Sequence, residues 1–225
     1  MIGVTLARPW LVLDLPAGLR CLSWAPWRPG FVAAGRVAIR EVRNADLPAG
    51  FDAETWLAGE MAAAGHAVAV GLITARDLGS FVAASAAAGG IAAAAVATVG
   101  LGNAEAVGAR RGAAAAAGTV NLVVATDAAL SEAAQIEALA VAVEARTAAV
   151  LAAGLRLPTG LATGTGTDCV VIACRPGAGR YAGTHTAAGE AVGAAARAAV
   201  AAGVARWRDW AVAEGIAWAR SASSA

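Results

Sequence analysis

The chain has 225 residues, enough for one large domain with a substantial core. Its net charge of +1 gives no field that would gather nucleic acid or an acidic membrane. It contains no Lys, which excludes Schiff-base and P-loop lysine chemistry.

The first fifty residues read as β-rich. Trp10–Asp14, Arg20–Ala25 and Arg36–Val42 are strand candidates punctuated by Pro16, Gly18, Pro26, Pro29 and Gly30. No long apolar run with a small-residue cleavage site accompanies Arg8, so no signal peptide is expected. Asp52–Ala64 predicts a helix, with Asp52 as N-cap and Gly65 past its end. Ala67–Thr74 and Ile91–Leu101 predict buried strands, and Asn103–Arg111 fits a helix or a loop equally. Leu78–Ala104 carries no charge and is long enough to span a bilayer. It is built of Ala, Gly and Ser rather than Leu, Ile and Phe, so buried strand and turn is the expected outcome.

Thr119–Ala125 predicts a strand by alternation, with Val120, Leu122 and Val124 on one face and Thr119 and Asn121 on the other. Ser131 caps a helix whose expected apolar stripe is Ile136, Leu139, Ala140, Val143, Thr147 and Val150, ended by Gly154. Asp168–Cys174 is a further strand, and Ala187–Ala219 is mostly helical, with Thr186 as its cap. Cys169 and Cys174 face opposite sides of one strand and Cys21 is remote in sequence, so reduced thiols are expected, as in a cytoplasm. With only His66 and His185, a zinc cage would need an unusual ligand set.

Four segments carry candidate chemistry. In GTVNLVVATD, Gly118 permits a close backbone approach and Thr119 presents a hydroxyl at a strand start, as a nucleophile or as an ordinary backbone-bonded Thr. If the Gly118–Thr119 bond were cut, the new amine of Thr119 could serve as its base. In ATGTGTD, Gly164 and Gly166 let amides around Thr165 and Thr167 turn toward one point, either as an oxyanion nest or as a simple turn. Asp168 then orients a hydroxyl or an ammonium. In GLGNAEAVG, Glu105 replaces the third glycine of a dinucleotide fingerprint, which disfavours NAD binding, while Asn103 could donate to an oxyanion. In YAGTHTAAGE, His185 is a general acid or base, or a solvated loop His. Glu144 and Arg146 border the stripe of the central helix, where they are solvated or line a cleft. Trp207, Trp210 and Trp218 share a face that reads as core, or as an oligomer contact or a wall for a flat macrocycle.

In order, spacing and residue type, GLGNAEAVG, GTVNLVVATDAALSEAAQIEALAVAVEARTAAV, ATGTGTDCVVIAC and YAGTHTAAGE together resemble the adenosylcobinamide amidohydrolase family, over most of Thr74–Val192. The N-terminal strands fit loosely, Arg146 stands where a Lys is expected, and Val42–Asp46 matches weakly. The resemblance implies one domain over residues 1–225 that cleaves the aminopropanol amide of adenosylcobinamide to adenosylcobyric acid, a cytoplasmic cobamide salvage step. It implies a corrinoid that is the substrate and not a resident cofactor. The residues themselves give no metal site and no nucleic-acid or membrane partner, and a homo-oligomer is expected. A more distant similarity to the D-aminopeptidase and ornithine acetyltransferase superfamily implies an α+β fold, an αββα sandwich, with Thr119 in the register of that superfamily's nucleophile.

These readings give Thr119, Asn103, His185, Asp168 and Glu144 as the catalytic set, with His185 first as base. Asn121, Gly164, Thr165, Gly166, Thr167 and Arg146 form the substrate-binding set. The alternatives are a self-processing peptidase or acyltransferase, and a corrinoid-binding module without catalysis.

Overall fold

A computed structural model describes residues 1–43, 50–111 and 118–216. The chain runs β1 (Gly3–Ala7), β2 (Trp10–Asp14), β3 (Arg20–Ser23), β4 (Gly30–Ala33), β5 (Arg36–Glu41), α1 (Ala53–Ala63), β6 (Val70–Thr74), β7 (Val82–Ala88), β8 (Ile91–Val99), β9 (Ala104–Glu105), β10 (Val120–Leu130), α2 (Glu132–Ala152), β11 (Arg156–Leu157), β12 (Gly160–Leu161), β13 (Gly164–Thr165), β14 (Cys169–Pro176) and α3 (Ala187–Ala213). Of the two large sheets, one has the order β1-β2-β5-β6 and the other β4-β3-β14-β10-β8-β7, while β11 pairs with β12 and β13 with β9.

Alternation along the strands sorts the side chains into layers. Leu11, Leu13, Ile39 and Leu72 of the four-stranded sheet meet Cys21, Val123, Val171 and Ala173 of the six-stranded sheet. The opposite face of the larger sheet, with Leu122, Val124 and Ile172, packs on Ala138 and Ala142 of α2 and Ala195 and Ala199 of α3. Leu57 and Met61 of α1 cover Trp10 and Ala38 on the outside of the smaller sheet. The result is an α+β, αββα sandwich.

The expected caps form. Asp52 accepts from Thr55 N at 3.0 Å, Ser131 from Ala134 N at 3.2 Å, and Thr186 from Gly189 N at 3.0 Å. The stripe of α2 is rotated from the expected one. Its buried residues are Ala134, Gln135, Ala138, Val141, Ala142, Ala149 and Val150, and Ile136 is 54% exposed. Small alanines let the helix lie close to the sheet. Gln135 is fully buried because its amide closes a pair with Arg20, accepting from Nε at 2.7 Å and donating to the carbonyl at 2.8 Å.

Elsewhere, Leu78–Ala104 contains the hairpin of β7 and β8, and among the described residues no helix is long and apolar enough to cross a membrane. Asn103–Arg111 is turns around β9 rather than a helix. α3 ends at Ala213, short of the expected Ala219, with Gly215 at φ 70°. Trp207 is buried, whereas Trp210 is exposed beneath the Arg76 guanidinium, 4.6 Å from its ring centroid. Trp218 and residues 44–46 of the weakly matching segment lie outside the described residues.

Candidate active site

β10 and β14 are parallel neighbours with Asn121 opposite Cys169. This register sets the residues just before each strand, Thr119 and Thr167–Asp168, side by side at one end of the sheet. The Thr119 and Thr167 hydroxyl oxygens are 2.7 Å apart, and the Thr167 hydroxyl donates to the Gly118 carbonyl at 2.9 Å. A hydroxyl has one hydrogen. With that of Thr167 spent on Gly118, Thr119 is the donor between the two, and its lone pairs are left for another partner. Asn103 Nδ2 reaches Thr167 Oγ1 at 3.4 Å, long enough to be re-aimed, and its Oδ1 is buried without a partner.

The segment Gly100–Asn103 is held against Gly118–Thr119 by a hydrogen bond from Gly100 N to Thr119 O at 3.0 Å. Gly118 makes this approach possible, because a Cβ there would lie 2.7 Å from Gly102 N and 2.8 Å from Gly100 O.

A cavity of about 360 Å³ opens where the two sheets end. Asn103, Thr119, Asn121, Thr167 and Asp168 line one side, and Ile73, Thr74 and Glu54 line the other, with Trp24 also on the wall. Asn121 is buried and bridges the sheets, donating to Ile73 O at 2.9 Å. Cys169 also lines the cavity, but burial, reinforced by the charge of Asp168, pushes its thiol up to about 12, so it stays protonated and unreactive.

The ATGTGTD bend works differently from the expected oxyanion nest. Asp168 accepts from Val120 N at 2.9 Å, from Thr165 N at 2.9 Å, from Thr165 Oγ1 and from Arg146 Nη1. The donors of the bend therefore close on the chain's own carboxylate. Gly164 is required by this arrangement, since a Cβ would lie 2.4 Å from Asp168 Oδ2 and 2.7 Å from Arg146 Nη1. Gly164, Thr165, Gly166 and Arg146 do not line the cavity. Arg146 acts on it only through Asp168, whose carbonyl also accepts from Trp24 Nε1 at 2.8 Å.

Two expected catalytic residues are elsewhere. His185 is exposed in the loop before α3, and Ala187 of that helix lies against Gly89 in the β7–β8 turn. The nine residues of β8 separate that turn from Gly100, roughly 30 Å at the rise of a strand. Glu144 is exposed on α2 and lines a groove shared with Glu190 and Arg197 of α3. Its place is set by the rotated stripe, which turns that side of α2 toward α3 rather than toward the sheet edge. Glu54 and Trp24, which the sequence did not single out, do line the cavity. Glu54 reads in sequence as an acid suited to the first turn of a helix, and Trp24 as a strand-end residue, so neither carries a chemical signal. Among the described residues, no three His, Cys, Asp or Glu side chains gather as metal ligands.

A curated protein of Halobacterium salinarum named adenosylcobinamide amidohydrolase is 44% identical over 86 residues, which is 37% of this chain and 35% of that protein. The adenosylcobinamide amidohydrolase family itself matches residues 2–211. With that match spanning both large sheets and all but the last two residues of α3, the chain belongs to the adenosylcobinamide amidohydrolase family.

Proposed function

We propose that this protein hydrolyses the amide that joins aminopropanol to the corrin side chain of adenosylcobinamide, releasing aminopropanol and adenosylcobyric acid in cobamide salvage. The observation that carries this reading is the Thr119–Thr167–Asn103 cluster opening into the cavity between the sheets. At about 360 Å³ the cavity is near the lower end of ligand pockets, which run roughly 300–1,000 Å³. It suits the amide arm, with the macrocycle outside against the exposed Trp24.

The Thr119 proton is directed at Thr167, which favours Thr119 as the group that holds an attacking water rather than as the attacking atom. Asn103 Nδ2, freed from its long contact, faces the developing oxyanion. One such donor is worth about 10²–10³ in kcat. Incubation of the purified protein with adenosylcobinamide, with mass-spectrometric detection of aminopropanol, tests the reaction. Thr119→Ala is expected to lower kcat by about 10²-fold or more, and near-wild-type turnover would remove Thr119 from the chemistry.

A second reading is self-processing, favoured by one contact: Thr167 polarises the Gly118 carbonyl, the group that Thr119 would attack to cut its own chain. Denatured intact mass separates the two readings. One species near 22.0 kDa argues for the intact hydrolase, and two fragments divided before Thr119 argue for processing.

A further inference from the structure

We propose that Glu54 is the proton-transfer residue of this hydrolysis, an inference that rests on the amidohydrolase reading above. Amide cleavage needs a group that takes a proton from the nucleophile and returns one to the departing nitrogen. Three ionisable side chains line the cavity among the described residues: Asp168, Cys169 and Glu54.

Asp168 is occupied, with four donors on its two oxygens and a side chain 5% exposed. Cys169 is held as a thiol. Glu54 is exposed to solvent and has no hydrogen bond or ion pair through its carboxylate among the described residues. It is also free of capping duty, because Asp52 accepts from the first turn of α1. Glu54 enters the cavity from the side of α1 and the four-stranded sheet, whereas Thr119 enters from the six-stranded sheet. A water between them can donate one hydrogen to Thr119 Oγ1 and the other to Glu54.

The step balances. The water oxygen bonds to the amide carbon as its proton passes to the Glu54 carboxylate, and the carbonyl electron pair moves onto oxygen. Glu54 then gives that proton to the nitrogen as the C–N bond breaks and the carbonyl re-forms. One water is consumed, and a carboxylic acid and an amine leave.

The test measures aminopropanol release by wild type, Glu54→Gln, Glu54→Asp and Glu54→Ala across pH, with formate added to the last. Glu54→Gln is expected to lower kcat about 10²–10⁴-fold with KM within about twofold, and to remove the acidic limb of the kcat profile. Glu54→Asp and formate with Glu54→Ala are expected to recover part of the rate. Active wild type with Glu54→Gln within about threefold of it overturns the role of Glu54 and leaves the hydrolase reading standing. A lowered rate with an unchanged pH profile and no formate rescue also overturns it. Wild type that releases no aminopropanol overturns both.

Discussion

The guanidinium of Arg146 is paired with the carboxylate of Asp168, and the two side chains are only 12% and 5% exposed. Removal of one partner leaves the other as an uncompensated buried charge, which costs roughly 3–5 kcal/mol. Arg146→Ala is therefore expected to lose stability on that scale in urea unfolding. Arg146→Lys is expected to lose well under half as much. Only one Arg146 nitrogen, Nη1, bonds Asp168, and its Nε is buried without a partner, so a Lys keeps the charge contact and removes an orphaned donor. An Arg146→Ala protein within about 1 kcal/mol of wild type would show that the pair does not hold the bend.

Gly118 and Gly166 make a matched pair of substitutions. A Cβ at Gly118 meets backbone atoms of Gly100 and Gly102, which cannot rotate aside, whereas a Cβ at Gly166 meets nothing within 4 Å. Gly118→Ala is expected to destabilise by about 1–3 kcal/mol, the scale of overpacking. It is also expected to abolish turnover, because Thr119 and Asn103 move apart together. Gly166→Ala is expected to stay within about 0.5 kcal/mol of wild type. Thermal melts and aminopropanol release distinguish the two.

His185→Ala and Glu144→Gln are expected to leave kcat/KM within about twofold of wild type, since neither side chain reaches the cavity. A tenfold loss in either variant, about 1.4 kcal/mol of transition-state stabilisation, would require a site at the other end of β8 or in the groove between α2 and α3.

Burial raises the Cys21 and Cys169 thiols from 9.0 to about 12. Above about pH 9 the unfolded chain therefore releases thiol protons that the folded chain retains, so stability falls as pH rises from there toward 12. The limiting slope is about 1.4 kcal/mol per pH unit for each thiol. Urea unfolding at about pH 8 and pH 10.5 is expected to show this decline, and a Cys21→Ala, Cys169→Ala double variant a flatter one. Equal slopes in the two proteins would count against the buried thiols as the cause.

Local physics was legible in the sequence. The parity of Thr119 and Asn121 against Val120 and Leu122, and the caps at Asp52, Ser131 and Thr186, depend on neighbours a few residues away, and all appear in the fold. The strands β1 and β4 and the two-residue β9, β11, β12 and β13 have no counterpart among the expected strands, and β7 lies without bounds of its own inside the strand and turn expected over Leu78–Ala104. β7 reads VAASAAA, and alanine carries no strand preference; only pairing with β8 makes it extended. Ile136 misleads about α2, because a large apolar side chain outweighs small ones in a periodicity count, yet it is the alanines that allow close packing.

At the site, the meeting of GTVN and GTGTD was expected from their residue types, and the β10–β14 register provides it. Three things depend on contacts distant in sequence and were not visible there. They are the aim of the 163–168 amides at Asp168, the exile of His185 to the far end of the sheet, and the arrival of Glu54 from α1.

β10 is an inner strand with β8 and β14 on its two edges and packed layers on both faces. The hydroxyl of Thr119 is thus mounted on the stiffest part of the molecule, and amides such as Asn121 to Val124 should exchange with deuterium only when the whole chain opens. The eleven-residue α1, by contrast, lies on one face of the smaller sheet, held by buried Leu57 and Met61, by Trp56 and by the Arg40–Glu60 pair. The cavity is thus walled on its Thr119 side by a strand covered on both faces and on its Glu54 side by a helix covered on one.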